Sequence, residues 1–424
     1  MIIELPYGKK SLELELPVNE NIKVLRPRKV KSVKNPEQYI RDKLENYIKR
    51  NKNFFLKYRN KDVCILISDK TRYVPNRILI PILLSELLKL NFQKDRITLL
   101  VANGLHEPMN YSDLVENLGK HVVDNFNIVN HDAKNDDMLS FIGKTTRGTP
   151  LFINKIFLSA DLKIATGVVA PHFHAGFGGG CKSILPGVSG RITILRNHRF
   201  DMVAHEKARY GVTDGNPIYE DIVETGVKSG LHFIINTSVD SMKNLTHIFI
   251  GEPVKTHKKA TKIVTKDIKV EFSDPFDIVI TSNGGYPLDR NLYQAVKGIA
   301  VAELMVKRGG TIILVSECID GVGHKTFQEF MSHGKKPQDI LDRIKREEPI
   351  EDQDNIQILA RVLTKAKIIV VSDGVKADVV EEMKMISAKS VEEALEICGW
   401  HPNKELKVGI VPAGPYVLPV KRLS

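Results

Sequence analysis

The sequence predicts an α/β protein of two domains with mainly parallel sheets and an active site in the cleft between them. Three observations predict this. Short apolar segments alternate with helical ones, the alternation pauses in a Lys-rich stretch before resuming, and loops after the apolar segments collect glycines, histidines and charged side chains. Strand–helix alternation argues for parallel sheets with right-handed crossovers, and ligands in such sheets bind beyond the carboxyl ends of the strands.

The first eighteen residues (MIIELPYGKKSLELELPV) alternate apolar and polar, as a hairpin does, with Gly8 in its turn. Residues 36–58 form a polar helix. A buried strand at 63–68 (VCILIS) leads through 69–75 into a helix reaching 90. A second strand at 96–102 (RITLLVA) precedes the loop 103–108 and another helix, and a third at 162–166 precedes a glycine-rich loop. A second series follows: a strand at 276–282 (FDIVITS), a helix at 292–308, and strands at 311–316, 366–372 and 406–411. The Lys-rich segment 254–274 separates the two series. This puts an N-terminal domain at residues 1–272 and a C-terminal domain at 273–424, the second completing the substrate site.

A chain of 424 residues is long enough for two or three cores. No apolar run approaches the roughly 20 residues of a membrane span, and the N-terminal segment lacks a signal-peptide core, so a cytoplasmic location is expected. The four cysteines, Cys64, Cys181, Cys318 and Cys398, form no CxxC pair, which excludes a disulfide framework and a thiolate zinc site of ordinary spacing. The net charge of +11 comes from scattered lysines, without a basic tail or interleaved aromatics. That pattern describes a solvated surface rather than a nucleic-acid face, and it suits an anionic substrate and a phosphate-bearing cofactor.

Four loops carry chemistry. The richest runs from Ala170 to His198 (APHFHAGFGGGCKSILPGVSGRITILRNH). Gly176, Gly178, Gly179 and Gly180 let the backbone approach a ligand and turn N–H groups inward. A bare surface loop does not explain His172, His174, Lys182 and His198 in one stretch. The spacing also departs from GxxxxGK[ST], which argues against a P-loop. Lys182, an amine beside backbone donors and away from apolar burial, is a candidate nucleophile. Ser68-Asp69-Lys70-Thr71-Arg72 ends a strand with a guanidinium that can grip a carboxylate and with acceptors beside it. Ala102-Asn103-Gly104-Leu105-His106-Glu107-Pro108 offers an imidazole suited to proton exchange near neutral pH. Asn283-Gly284-Gly285-Tyr286-Pro287 precedes a helix on which Gln294 and Lys297, three apart, share a face near Tyr293.

In order, spacing and wording, DKTRYVP, NGLHEP, PHFHAGFGGGCKSILPG, the pair Asn197-His198 and NGGYPLDRNLYQAVKG closely resemble the lactate racemase family of 2-hydroxy-acid racemases. The specific part is KSILPG with a histidine sixteen residues after its lysine. The resemblance implies a cofactor, a pyridinium mononucleotide whose two sulfur-containing groups and one ring carbon grip nickel as a pincer. It implies covalent attachment of this group to Lys182, and His198 as the protein's nickel ligand. It further implies His106 and His172 as paired acid/base residues, and Arg72 and Lys297 as carboxylate-binding residues with Gln294 and Tyr293 alongside. Asp69, Thr71, Gly178, Gly179 and Gly180 would lie against the cofactor. The implied reaction takes the hydroxyl proton onto a histidine while the α-hydrogen leaves as hydride, giving a planar 2-keto acid to which hydride returns on either face. A small 2-hydroxy-carboxylate, lactate by default, and the proteins that build the cofactor are the implied partners, with neither nucleic acid nor membrane among them and a homodimer left open.

Two residues depart from the family's wording. Cys181 stands where a basic residue is common, and His174 where an apolar one is usual. His172, His174 and His198 also admit a different reading, a metal hydrolase with three imidazole ligands. The charge and the glycine loop admit another, a non-catalytic nucleotide or nucleic-acid binder.

Overall fold

The computed structural model describes residues 1–422 and contains two six-stranded sheets. In the first, Leu245–Gly251, Phe233–Val239, Leu162–Val168, Val63–Ser68, Ile97–Ala102 and Asn127–Asn130 lie side by side in that order. All neighbours are parallel except Leu245–Gly251, which runs antiparallel to Phe233–Val239. The central strand Val63–Ser68 is buried along nearly its whole length, as expected of a parallel strand covered on both faces. Helices Pro36–Arg50 and Asn76–Lys89 cover one face through Ile40, Leu44, Leu79 and Leu83. The polar helix expected over 36–58 is interrupted at Asn51, whose N–H turns back onto Tyr47 and Ile48 carbonyls before Lys52–Leu56 continues.

The second sheet orders Ile386–Ala388, Lys367–Val371, Val306–Val315, Phe276–Ser282, Val408–Val411 and Ile22–Val24, all parallel. Its last strand comes from the beginning of the chain. The hairpin Ile2–Tyr7 with Lys10–Glu15 packs here too, burying Ile3, Leu5, Tyr7 and Leu14 against Ile278, Ile280 and Ile313. An isolated two-stranded hairpin is marginal in water and needs a further apolar surface; the second sheet provides it. The segment before residue 25 therefore packs with the second sheet, although the chain places it ahead of the first.

The helix expected over 292–308 is Leu292–Glu303, and Val306–Val315 is already extended and paired with Phe276–Ser282. The polar Lys307-Arg308-Gly309-Gly310 hid the start of that strand. Chain crossings join the domains: Leu25 N–H donates to Ile410 O and Val33 N–H to Leu245 O, while Lys269–Phe272 pairs with Leu418–Lys421. No helix among the described residues is long and apolar enough to cross a membrane.

The chemical loops all leave carboxyl ends of strands. Asp69–Arg72 follows Val63–Ser68, Asn103–Pro108 follows Ile97–Ala102, the glycine-rich loop follows Leu162–Val168, and the Asn283 loop follows Phe276–Ser282. The first three belong to one sheet and the fourth to the other, so the loops converge from both domains.

Candidate active site

The glycine-rich loop is shaped by its neighbours. Gly180 adopts φ +59° and a Cβ there would sit 2.7 Å from the His257 ring; its N–H donates to Asn236 Oδ1 at 2.7 Å. His257 Nε2 donates to Gly178 O at 2.8 Å, its other nitrogen facing the Tyr219 hydroxyl at 2.9 Å. Gly178 and Gly179 line the cleft, while Gly180 does not: its N–H is already taken, and its part is to hold the loop. Cys181, the first departure from the family wording, packs against Gly226, and burial pushes its thiol up to about 12, so it stays a small neutral core residue.

This turn brings Lys182 to the junction of two communicating spaces. The smaller, about 120 Å³, is bounded by Asp69, Arg72, His106, His172, Gly178, Gly179 and Lys182. The larger, about 400 Å³, lies between the domains and is lined by Thr71, Arg72, His106, His172, His174, Lys182, His198, Tyr293, Gln294 and Lys297. Of the residues expected to act on substrate, cofactor or metal, all but Gly180 border one or both, whereas Gly176 and Cys181 of the same loop border neither.

Lys182 is desolvated, contrary to the expectation of an amine away from burial. That desolvation, with the nearby Arg72 charge, lowers its pKa to about 7 despite Asp354. A fraction of the amine is thus unprotonated at neutral pH, which a nucleophile requires. Lys297 is likewise brought to about 7 by burial and by Arg72, with Lys182 adding to the effect and Asp69 and Asp354 opposing it. Its ammonium donates to Gln294 Oε1, as their shared helix face predicted. Arg72, joined by Lys297 when that amine is protonated, makes the cavity suitable for a carboxylate.

The two candidate bases are held differently. His106 Nδ1 lies 2.6 Å from Asp69 Oδ2, whose other oxygen accepts from the Thr71 N–H and hydroxyl at 3.1 and 2.8 Å. Burial alone would raise the Asp69 carboxyl, but the His106 hydrogen bond and charge, Arg72 and Thr71 bring it below the usual range. Asp69 is therefore an anion, and its Oδ2 accepts from the Nδ1–H of His106, leaving Nε2 as the ring nitrogen outside this hydrogen bond. His172 stacks on Phe173 with ring centroids 4.6 Å apart, and its Nδ1 accepts weakly from Ala175 N–H at 3.4 Å. Burial, then Lys182, His174, Arg72 and Lys297, hold its pKa well below the ordinary value.

Beyond His172 the ring of His174 lies 4.5 Å away and that of His198 a further 4.6 Å from His174, centroid to centroid. His174, His198 and Asp354 present donor atoms all within 4.8 Å of one another. Both ring nitrogens of His174 and Nε2 of His198 are buried without a hydrogen-bond partner. Such orphaned nitrogens are costly unless something coordinates them. Asp354 was not visible as a site residue in the sequence, since it sits in the first turn of an ordinary amphipathic helix, Gln353–Lys365. The same holds for His324, stacked on Tyr293 at 4.0 Å and bonded to Asp352, and for Asn283, which braces its loop through Leu288 O, Gln294 O and Gly298 N.

Comparison with known proteins places the chain in a family. Residues 7–211 match the lactate racemase N-terminal domain and residues 272–418 the lactate racemase C-terminal domain. The chain is 39% identical over 422 residues to the lactate racemase of Thermoanaerobacterium thermosaccharolyticum, covering 98% of each. It is 37% identical over 418 residues to that of Lactiplantibacillus plantarum, covering 97% of this chain and 98% of the relative. The structure of the Thermoanaerobacterium lactate racemase apoprotein superposes with a TM-score of 0.92 at 38% identity, covering 99% of this chain and 100% of that one. A Thermotoga maritima protein at 16% identity shares the fold, with a TM-score of 0.70 over 91% of this chain and 98% of its own. With both domain models matched and relatives of this similarity aligned end to end, the chain belongs to the lactate racemase family.

Proposed function

We propose that this chain racemises a small 2-hydroxy acid, lactate by default, using a nickel-pincer mononucleotide tethered to Lys182. The observation that carries the reading is the convergence of two histidines, His106 and His172, with Arg72, Lys297 and Lys182 around one interdomain cavity. The residues fit the group: the partnerless Nε2 of His198 suits a nickel ligand, and the desolvated Lys182 amine suits a tether. When bound, the nickel-pincer nucleotide supplies reversible uptake of a hydride from the substrate's α-carbon.

The chain does the rest. Arg72 and Lys297 hold the carboxylate, fixing the α-carbon and leaving the hydroxyl to point at one imidazole or the other. His106 offers the Nε2 lone pair, its tautomer fixed by Asp69, and takes the hydroxyl proton of one isomer. His172, on a loop from a different strand, serves the other isomer. As the proton leaves, the substrate becomes a planar 2-keto acid, whose carbonyl can turn from one histidine toward the other before the proton is returned. The cavity's place between the domains limits the access of water to the exchange. A carboxylate with a weakly acidic α-hydrogen makes direct deprotonation a poor alternative, which is why hydride departure fits the chemistry.

The test uses protein produced with nickel and the cofactor-making enzymes. Pure L-lactate and pure D-lactate are each expected to reach a one-to-one mixture. Loaded protein that carries the added mass on Lys182 but interconverts neither lactate nor any other small 2-hydroxy acid would overturn the reading.

A further inference from the structure

His174 and Asp354 have no part in the proton traffic described above, yet they stand beside His198. His174 is fully buried, and neither of its ring nitrogens has a hydrogen-bond partner. Its Nδ1 lies 3.3 Å from Asp354 Oδ2 but is not aligned as a hydrogen bond. Three residues with free donor atoms within 4.8 Å of one another form a ligand set looking for a cation.

We propose that His174, His198 and Asp354 form a divalent transition-metal site that works without the organic cofactor and clasps the two domains together. It extends the reading of His198 as a nickel ligand and rests on that reading at this residue alone.

The donor types set the metal class. Two imidazoles and one carboxylate suit borderline ions such as Ni(II), Co(II) and Zn(II) and are a poor match for Ca(II) or Mg(II). First-row ions hold such donors at about 2.0–2.2 Å, so the three groups need draw in only slightly. Three protein donors leave further positions open to water or a small ligand.

The placement makes the site a clasp. His174 lies on the glycine-rich loop and His198 caps the helix Arg191–Asn197, both built on the first sheet's domain. Asp354 is in the first turn of Gln353–Lys365, a helix of the other domain. That helix is already docked nearby, with Gln353 Nε2 donating to His198 O at 3.4 Å and Gln357 Nε2 to Phe200 O at 2.9 Å. An ion held from both sides would tie the walls of the cleft and raise the stability of the folded chain, since a ligand that binds only the folded state stabilises it by mass action.

The experiment uses the full chain produced without cofactor-making enzymes, stripped with a chelator, then titrated calorimetrically with NiCl2 and separately with ZnCl2. The expected result is one ion per chain, removed by chelator, with an unfolding midpoint that rises as the metal is added. His174→Ala and Asp354→Asn should each weaken binding at least tenfold and abolish the rise. Asp354→Asn keeps the side chain's shape, and its unchanged unfolding midpoint in chelator serves as the folding control; His174→Gln repeats the test with a larger side chain. Wild-type protein that binds no stoichiometric ion, or either variant binding as tightly as wild type, overturns the proposal. In protein produced with the cofactor-making enzymes, the added mass on Lys182 should persist in both variants. Its absence from wild type would instead refute the tether and leave the metal titration standing.

Discussion

The His106 ring stands partly in solvent on the loop after Ile97–Ala102 and is held by an ionised carboxylate, whereas the His172 ring is half-buried, stacks on Phe173 and has Lys182, Arg72 and Lys297 nearby. Both border the same two spaces. On the roles proposed for them, the two faces of the substrate would meet unlike chemistry: one base oriented by an acid, the other by packing and by cations whose charge a bound carboxylate would offset. A racemase tolerates this because its equilibrium constant is one. The ratio kcat/KM must be equal in both directions, so the inequality of the bases can appear only in kcat and KM separately.

The largest expected effect removes the comparison altogether. Lys182→Ala should eliminate both the added mass and activity toward either isomer, since neither histidine has a reaction to serve without the tethered group. An adduct persisting in that variant, seen by intact-mass measurement, would move the attachment elsewhere.

Asp69→Asn should act on one base only. It removes a charge-assisted hydrogen bond, worth about 1.5–3 kcal/mol, and lets the amide select the wrong His106 tautomer. Turnover through His106 should fall roughly tenfold to a hundredfold. First-turnover rates with each pure isomer check this; equal slowing of both would mean that Asp69 supports the whole cleft rather than His106.

The smallest expected effect is a pH dependence on Lys297. Its pKa is depressed from the ordinary lysine value to about 7, so the ammonium is present below that and lost above it. Carboxylate binding should therefore weaken, and KM rise, as pH increases past about 7. The facing charges are Arg72, Lys182, Asp69 and Asp354, and tethering removes the Lys182 charge, so the limb in loaded enzyme lies above that of the bare chain. Lys297→Arg should flatten it. A KM that is constant from neutral to alkaline pH in the wild type would contradict the carboxylate role.

Much of the site was legible because its pieces are local. Strand-end loops with Asp69 to Arg72, His106, and His172 through Lys182 to His198 each carry their residues within a few turns of chain, and short buried strands such as Val63–Ser68 announce themselves by uninterrupted apolar runs. The rest depends on long-range pairing. Nothing in MIIELPYG says that the hairpin packs on the distant second sheet. Asn236 and His257 look like ordinary strand and helix residues, and only the folded loop reveals them as its braces. Asp354 reads as a helix-start acid until the domains close around His174 and His198. Gly180 shows the converse, a motif glycine whose role is a tight approach to a neighbouring ring rather than to a ligand.

The central claim is that His106 and His172 each serve one isomer. It is tested most directly by a single turnover of loaded His106→Ala and His172→Ala protein with pure L-lactate and pure D-lactate, following the cofactor's absorbance. General acid–base help is worth roughly a hundredfold to ten-thousandfold. Each variant should show a slowing of that order in the first half-reaction from one isomer only, with the affected isomer exchanged between the variants. Equal slowing of both isomers in each variant, or no slowing at all, would contradict the account.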